Sequence, residues 1–512
     1  MSMLKGLKKK KRLGLLSSAI LGLTLFTAGC SGDEASSTKS KEGKADNGPF
    51  ELSLMFNFDG VEFPKEGNEV EKIIEEMTNT NLKVNPLPGT AFEERLPVMV
   101  ASGEFPDAVP IPRRHQQYPY VLNAVQGGVF WEIGPYLDQF PNLSKINKQI
   151  YENIKYDGKT YGVPRVRPMA RRVFIYRQDW LQNLGMEEPK TIEDFHEMLR
   201  AFTFNDPDKN GKDDTYGIVM NQGQPFTYYA PFFGAPNKWE VKKDGKFVRD
   251  VTTDEFFESI KFQKQLYDEG LMNKDFTVID RPEWTAAVET GKAGVMIDTS
   301  NSTQNIELGA QKSNPNAKFS MFSILENGKG KRIFAEGGHN GFFLFPKASL
   351  ETEEELKKAL GFFDKLASEE GSNLLAWGIE GVHYNVVDGK AEKIPDTNMD
   401  DVGAYGAPLA TLPPLDNAME GSLTPLAELE LELTKENEKY MVSDPTLSIV
   451  SDTYLEMGEQ LEVILDDAHV KFIMGEIDEK GWKAAVEEWK SRGGDKIAKE
   501  YEEAYKKAKA KK

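Results

Sequence analysis

Cysteine is almost missing: one residue, Cys30, in a chain of 512. A single cysteine rules out a disulfide framework and any zinc site built on thiolates. Histidine is nearly as scarce. His115, His196, His339, His383 and His469 are scattered singly, which gives no support to a histidine metal cluster. No phosphate-binding loop, GxSxG elbow, HExxH helix or dinucleotide GxGxxG motif occurs. Positive charge is in deficit: 63 Lys and Arg face 82 Asp and Glu, a net charge of −19. A chain this acidic is a poor general binder of nucleic acid or anionic lipid, and no nucleic-acid partner is expected.

What is present is a large apolar supply. Hydrophobic residues make up 39% of the chain and aromatics 11%. That is enough to bury a sizeable core, and the length suggests two or three domains. The first residues form a distinct unit. Lys5 to Arg12 is basic, and Leu13 to Phe26 is an apolar stretch too short to span a membrane as a helix. Thr27-Ala28-Gly29-Cys30 follows, small residues before a cysteine, similar to a bacterial lipoprotein signal. On this reading 1–29 is a signal peptide and Cys30 is the lipidated residue. Residues 30–49 are rich in Ser, Gly and charge and read as a flexible tether.

The body alternates short strands and helices, which indicates α/β layers. Glu51–Phe56, a helix over 66–78 and a strand from Asn81 make a β-α-β start. Thr191 and Asp194 form a capping box for a helix with Ile192, Phe195, Leu199 and Phe202 on one face. Further helices are predicted at 353–368, 481–492 and 495–512, and strands at 294–297 and 341–345.

The sharpest local motif is Asp206-Pro207-Asp208-Lys209-Asn210-Gly211-Lys212-Asp213-Asp214. Oxygen side chains at alternate positions with glycine at the sixth form the front of an EF-hand-type loop. Asp206, Asp208, Asn210, the Lys212 carbonyl and Asp214 are the expected calcium ligands. The bidentate Glu usual at position twelve is replaced by Gly217. A polar turn without metal has the same composition.

Sugar rings stack on aromatics while their hydroxyls need polar partners. Trp284, the run Trp377-Gly378-Ile379-Glu380-Gly381-Val382-His383-Tyr384 and Tyr228-Tyr229 mix the two, with core packing the alternative for each. One basic cluster, Arg165, Arg167, Arg171, Arg172 and Arg177, either binds carboxylates or pairs with surface acids.

Several segments carry a family likeness. They are Met99 to Ala108, the stretch Gly158-Lys159-Thr160-Tyr161-Gly162-Val163-Pro164 with Phe174 to Leu181 and Pro189-Lys190-Thr191, and Gly291 to Met296. In this order they resemble the family 1 extracellular solute-binding proteins of bacterial carbohydrate ABC importers. The acidic loop and the Trp377–Tyr384 run are similar to the large oligosaccharide-binding branch, including alginate-binding proteins whose matching loop holds calcium.

The resemblance implies an α/β, two-lobed periplasmic-binding-protein type 2 fold with a hinge and an interlobe cleft. It implies lobe 1 over 50–168 with a return at 296–345, and lobe 2 over 169–295 and 346–512. It implies no enzyme, but a lipid-anchored, monomeric protein on the outer face of the cell membrane. Such a protein captures an oligosaccharide, acidic if the arginines face it, and hands it to an ABC transporter permease by lobe closure. Expected contacts are Trp284, Trp377, Glu380 and Tyr384, with Asp298, Asn301, Arg171 and Glu336 as polar partners. A ligand-sensing or adhesion lipoprotein, or a surface glycoside hydrolase or lyase, would share the signal, tether and aromatics.

Overall fold

The computed structural model describes residues 48–58, 63–221 and 226–510. The signal, Cys30 and nearly all of the tether lie outside the described residues. The β-α-β start forms as the sequence dictates. Phe50–Phe58 pairs in parallel with Thr80–Pro88 across the helix Glu69–Thr78. Asn68 caps that helix, and Asn79 ends it in the left-handed region that asparagine tolerates.

Next to this pair, Val109–Ile111 and Gly162–Val166 flank a returning strand, His339–Leu344, antiparallel on both sides. Gly341 is obligatory there. Its φ is +105°, and a Cβ would stand 2.3 Å from the Ile111 carbonyl oxygen. A hydrophobic core gathers around this sheet from Leu52 to Met169 and again from Phe342 to Leu409.

The second sheet runs in the order Phe319–Phe322, Arg172–Arg177, Ala293–Thr299, Tyr216–Val219. Its core residues come from Val173 to Leu325, and a neighbouring cluster from Ala230 to Tyr501. Helices Asp452–Met474, Glu479–Trp489 and Asp495–Ala510 belong to that neighbouring cluster. The body therefore has two lobes, each with its own sheet.

The lobes divide differently from the sequence expectation. Residues 296–325 stay in lobe 2, because Ala293–Thr299 is an inner strand of its sheet. Only the strand at 339–344 returns. Residues 346–409 then stay with lobe 1 rather than lobe 2. The link from Leu344 to the helix Glu353–Leu366 is short, so the helix folds back on the sheet it has just left. There Phe363 packs on Phe343 with ring centroids 4.7 Å apart. The chain passes between lobes near Ala170, near Glu336, and after Leu423, where the helix Pro425–Asn437 packs on lobe 2 through Leu429 and Leu433.

Candidate functional site

Glu336 stands where two of these passages run side by side. Its carboxylate accepts from Arg171 Nε (3.0 Å) and Arg172 Nη2 (3.3 Å), and Arg113 of lobe 1 approaches to 3.9 Å. Burial alone would raise its pKa, but the three guanidiniums more than reverse that and hold it below the usual carboxylate value. Arg171 and Glu336, each expected as a polar partner of a ligand, are instead paired with each other at the lobe junction.

Two cavities flank the junction. One, of about 870 Å³, contains Arg171 and Asn301 among its walls. Its body is aliphatic, with Ile146, Ile150, Met169, Leu412 and Leu431, and no aromatic ring among the described residues lines it. The other, of about 720 Å³, is built for different chemistry. Arg113, Arg114 and Tyr118 line it from lobe 1, and Lys238, Asp444 and Tyr454 from lobe 2.

The short helical turn Arg113–His115 follows Pro112 and presents both arginines outward; their side chains are 51% and 59% exposed. Arg114 also pairs with Glu93. Buried His115 supports Tyr118 from below, with ring centroids 4.5 Å apart and planes 18° from parallel. His115 Nδ1 meets the Tyr120 hydroxyl at 2.8 Å, which fixes the ring. Burial, then the nearby Arg114 charge, lowers the His115 pKa, so the support is a neutral ring. Tyr118, 38% exposed, therefore presents an aromatic face beside two cations. Lys238 is exposed on the opposite wall, while Arg249 is neutralised by Asp250 (3.3 Å) and Glu462 (2.7 Å). The Gln117 amide is engaged, donating to the Thr446 and Leu447 carbonyls (both 3.2 Å) of a lobe 2 segment. An aromatic platform ringed by cations and hydrogen-bonding groups suits a sugar ring that carries carboxylate.

Most predicted contacts lie elsewhere. Trp284 is fully enclosed in the lobe 2 core and donates Nε1–H to the Val219 carbonyl at 3.1 Å. Trp377 and Tyr384, 1% and 5% exposed, form a small separate core with Ala391 under the hairpin Tyr384–Val387/Lys390–Lys393. Neither tryptophan has a face to offer in this conformation. Glu380 is exposed at that hairpin, outside both cavities. Asp298, 3% exposed, is committed to Arg281 at 2.9 Å. The site residues the sequence reading missed are Arg113, Arg114, Tyr118 and Lys238. Their signal was the aperiodic basic-aromatic run Pro112-Arg113-Arg114-His115-Gln116-Gln117-Tyr118.

The acidic loop folds as a tight turn with positive φ at Asp206, Lys209 and Gly211. Asp206 accepts from the Asn210 and Gly211 amides, both at 3.0 Å. The Asn210 side-chain amide donates to Asp208 (2.8 Å) and Asp214 (3.1 Å), so the oxygens converge on one small space. Burial, with added contributions from Asp206 and Asp214, raises the Asp208 pKa. Among the described residues no three His, Cys, Asp or Glu side chains form a preset metal cage. The donor set still fits a hard cation. Among the described residues Asp206, Asp208 and Asp214 form no ion pair, and Asn210 is an oxygen donor when its amide turns.

A model of bacterial extracellular solute-binding proteins matches residues 62–373. The polygalacturonan/rhamnogalacturonan-binding protein YtcQ of Bacillus subtilis (strain 168) is 38% identical over 97% of this chain and 99% of its own length. Lipoprotein LipO of the same strain is 36% identical over 95% of this chain and 97% of its own. Among solved structures, alginate-binding protein AlgQ2 without calcium ion superposes with a TM-score of 0.64 at 20% identity, over 90% of this chain and 98% of that one. FusA of S. pneumoniae in complex with kestose gives 0.63 at 20% identity, over 90% and 100%.

Proposed function

This chain belongs to the bacterial extracellular solute-binding protein family, and from that premise we propose that it captures an acidic oligosaccharide for an ABC importer. The observation that carries the acidic part is the Tyr118 face flanked by Arg113 and Arg114 in the interlobe cavity. YtcQ, whose name specifies polygalacturonan and rhamnogalacturonan, supports a galacturonate-containing ligand.

The mechanism follows from the two lobes. A uronide stacks on Tyr118 and pairs its carboxylates with Arg113 and Arg114. It reaches Lys238 and the acceptors of lobe 2 only when the cavity narrows. The ligand then has more favourable contacts in the closed state and shifts the population toward it. The closed form docks on a membrane permease. Recognition needs no bond to be made or broken in the sugar, in keeping with a family of binding proteins rather than enzymes.

Cys30 carries the lipid anchor on this reading, with the tether setting the body off the outer face of the membrane. LipO, named as a lipoprotein, supports it. Asp206, Asp208, Asn210, Asp214 and the Lys212 carbonyl hold a structural calcium ion, which neutralises their mutual repulsion.

The test is a thermal-shift and calorimetric titration of residues 48–512 with tri- and tetragalacturonate against neutral oligosaccharides of equal length. Uronides should raise Tm by mass action and neutral sugars should not. Arg113→Ala should weaken uronide binding by about tenfold or more. A shift with neutral sugars alone would remove the acidic assignment. In the same assay a calcium chelator should lower Tm, and Asp208→Ala should abolish that response. A Tm indifferent to chelator in the untreated protein would remove the calcium assignment.

A further inference from the structure

We infer that Asn153, Asn237 and Asn437 are positioning residues for lobe closure, confining the rotation of two of the three passages to Pro168–Met169 and Glu336–Gly337. The inference rests on the closure mechanism above and adds where the body bends. All three asparagines are almost enclosed, at 5%, 2% and 0% exposure. Each donates an amide hydrogen to a backbone carbonyl of a passage between lobes.

Asn237, in lobe 2, donates to the Ala335 carbonyl (2.7 Å) and the Val442 carbonyl (2.8 Å). Asn153, in lobe 1, donates to the Gly337 carbonyl (3.0 Å). Two carbonyls on one passage are thus gripped from opposite lobes. Only the torsions of Glu336 and Gly337 lie between the grips.

The other passage repeats the arrangement. Arg167 N–H donates to the Gly338 carbonyl (2.9 Å), which keeps it on the lobe 1 side. Asn437 donates to the Ala170 carbonyl (2.8 Å) and accepts from Ser323 Oγ (2.7 Å), which fixes Ala170 to lobe 2. Pro168 and Met169 remain between. The two free intervals lie level, joined by the Glu336 N–H bond to the Met169 carbonyl (2.7 Å). Two level intervals tied to each other define one axis.

The residue type suits the task. Buried carbonyls on such a passage must find donors. A primary amide supplies two hydrogens and an acceptor on a short side chain, whereas a hydroxyl supplies one hydrogen.

The experiment uses the cysteine-free body, residues 48–512, with spin labels at Val98→Cys and Val278→Cys. These positions are 58% and 78% exposed and lie in different lobes. Interlobe distance distributions are read by electron double resonance without ligand. Hydrogen exchange is followed over 335–339 and, as reference, over 293–299. Asn153→Ala, Asn237→Ala and Asn437→Ala should each broaden the distribution. Each should speed exchange over 335–339 by about fivefold to tenfold, the scale of one net hydrogen bond. The reference strand should not change.

Gly337→Ala keeps the three asparagines and stiffens the free interval, with its Cβ 3.1 Å from the His339 ring, which must give slightly. It should narrow the distribution, while Gly361→Ala in a lobe 1 helix should not. Asparagine variants that lose Tm while the folded protein keeps its wild-type width and exchange would overturn the inference. So would a Gly337→Ala variant indistinguishable from wild type, which still tests the axis if an asparagine variant does not fold. Trigalacturonate is added last. No response to it would count against the acidic ligand and leave the ligand-free result standing.

Discussion

Glu336 neutralises guanidiniums from both lobes with one carboxylate, so protonating it and deleting it have the same electrostatic consequence. Its folded pKa lies below the ordinary value of 4.5. Its contribution is therefore complete above that value and is lost as pH falls through the folded one. His339, three residues on, behaves differently. Burial and then the Arg113 charge hold it down to about 4, and its Nδ1 accepts from Gly341 N–H at 3.1 Å. The unfolded chain takes up that proton from about pH 6.5 downward while the folded one refuses it until about 4. Stability should fall across that window by up to about 3 kcal/mol. In urea titrations as a function of pH, His339→Gln should flatten the slope between about 6.5 and 4. Glu336→Gln should instead act at neutral pH, at a cost of about 2 to 3 kcal/mol, and remove part of the loss below 4.5. Neither residue's environment is legible in sequence. The arginines that surround Glu336 come from positions 113, 171 and 172.

Helices and strands were the most legible level, because their signals are local. The Thr191–Asp194 capping box forms as expected, and so do the β-α-β start and the strand at 293–299. Thr253 caps the helix Asp254–Asp268, its side chain accepting from the Phe256 amide. Aromatic residues were less legible. Trp284 and Tyr118 have similar polar neighbours in sequence, yet one faces inward from the helix Arg281–Glu289 and the other sits on a stack outside the core. The helical phase of Trp284, with Ala287 and Val288 on the same buried side, was the discriminating sign. Trp284→Ala should therefore cost about 3 to 5 kcal/mol in urea unfolding. Calorimetry on the folded fraction should return an unchanged uronide affinity. A selective loss of affinity would restore Trp284 to the site.

At the scale of the whole chain, the two lobes and their cleft were implied by the order of family motifs, while the path implied between them differs from the one observed at 296–325 and 346–409. Which sheet a strand joins depends on partners more than a hundred residues away, as His339–Leu344 shows by pairing with Val109–Ile111 and Gly162–Val166. The same separation hid the cavity, whose walls come from residues around 113–119, 238–249, 337–339 and 444–460, with Tyr501. One part of those walls, Gly337 and His339, belongs to a passage between the lobes, and the remainder stands on elements away from it. Tyr118 precedes the helix Pro119–Gln126 and Lys238 stands on a loop, so exchanging either leaves the ion pairs of Glu336 in place, whereas Arg113 reaches Glu336 itself. A lineage carrying this body can change its diet by redecorating the rim one residue at a time.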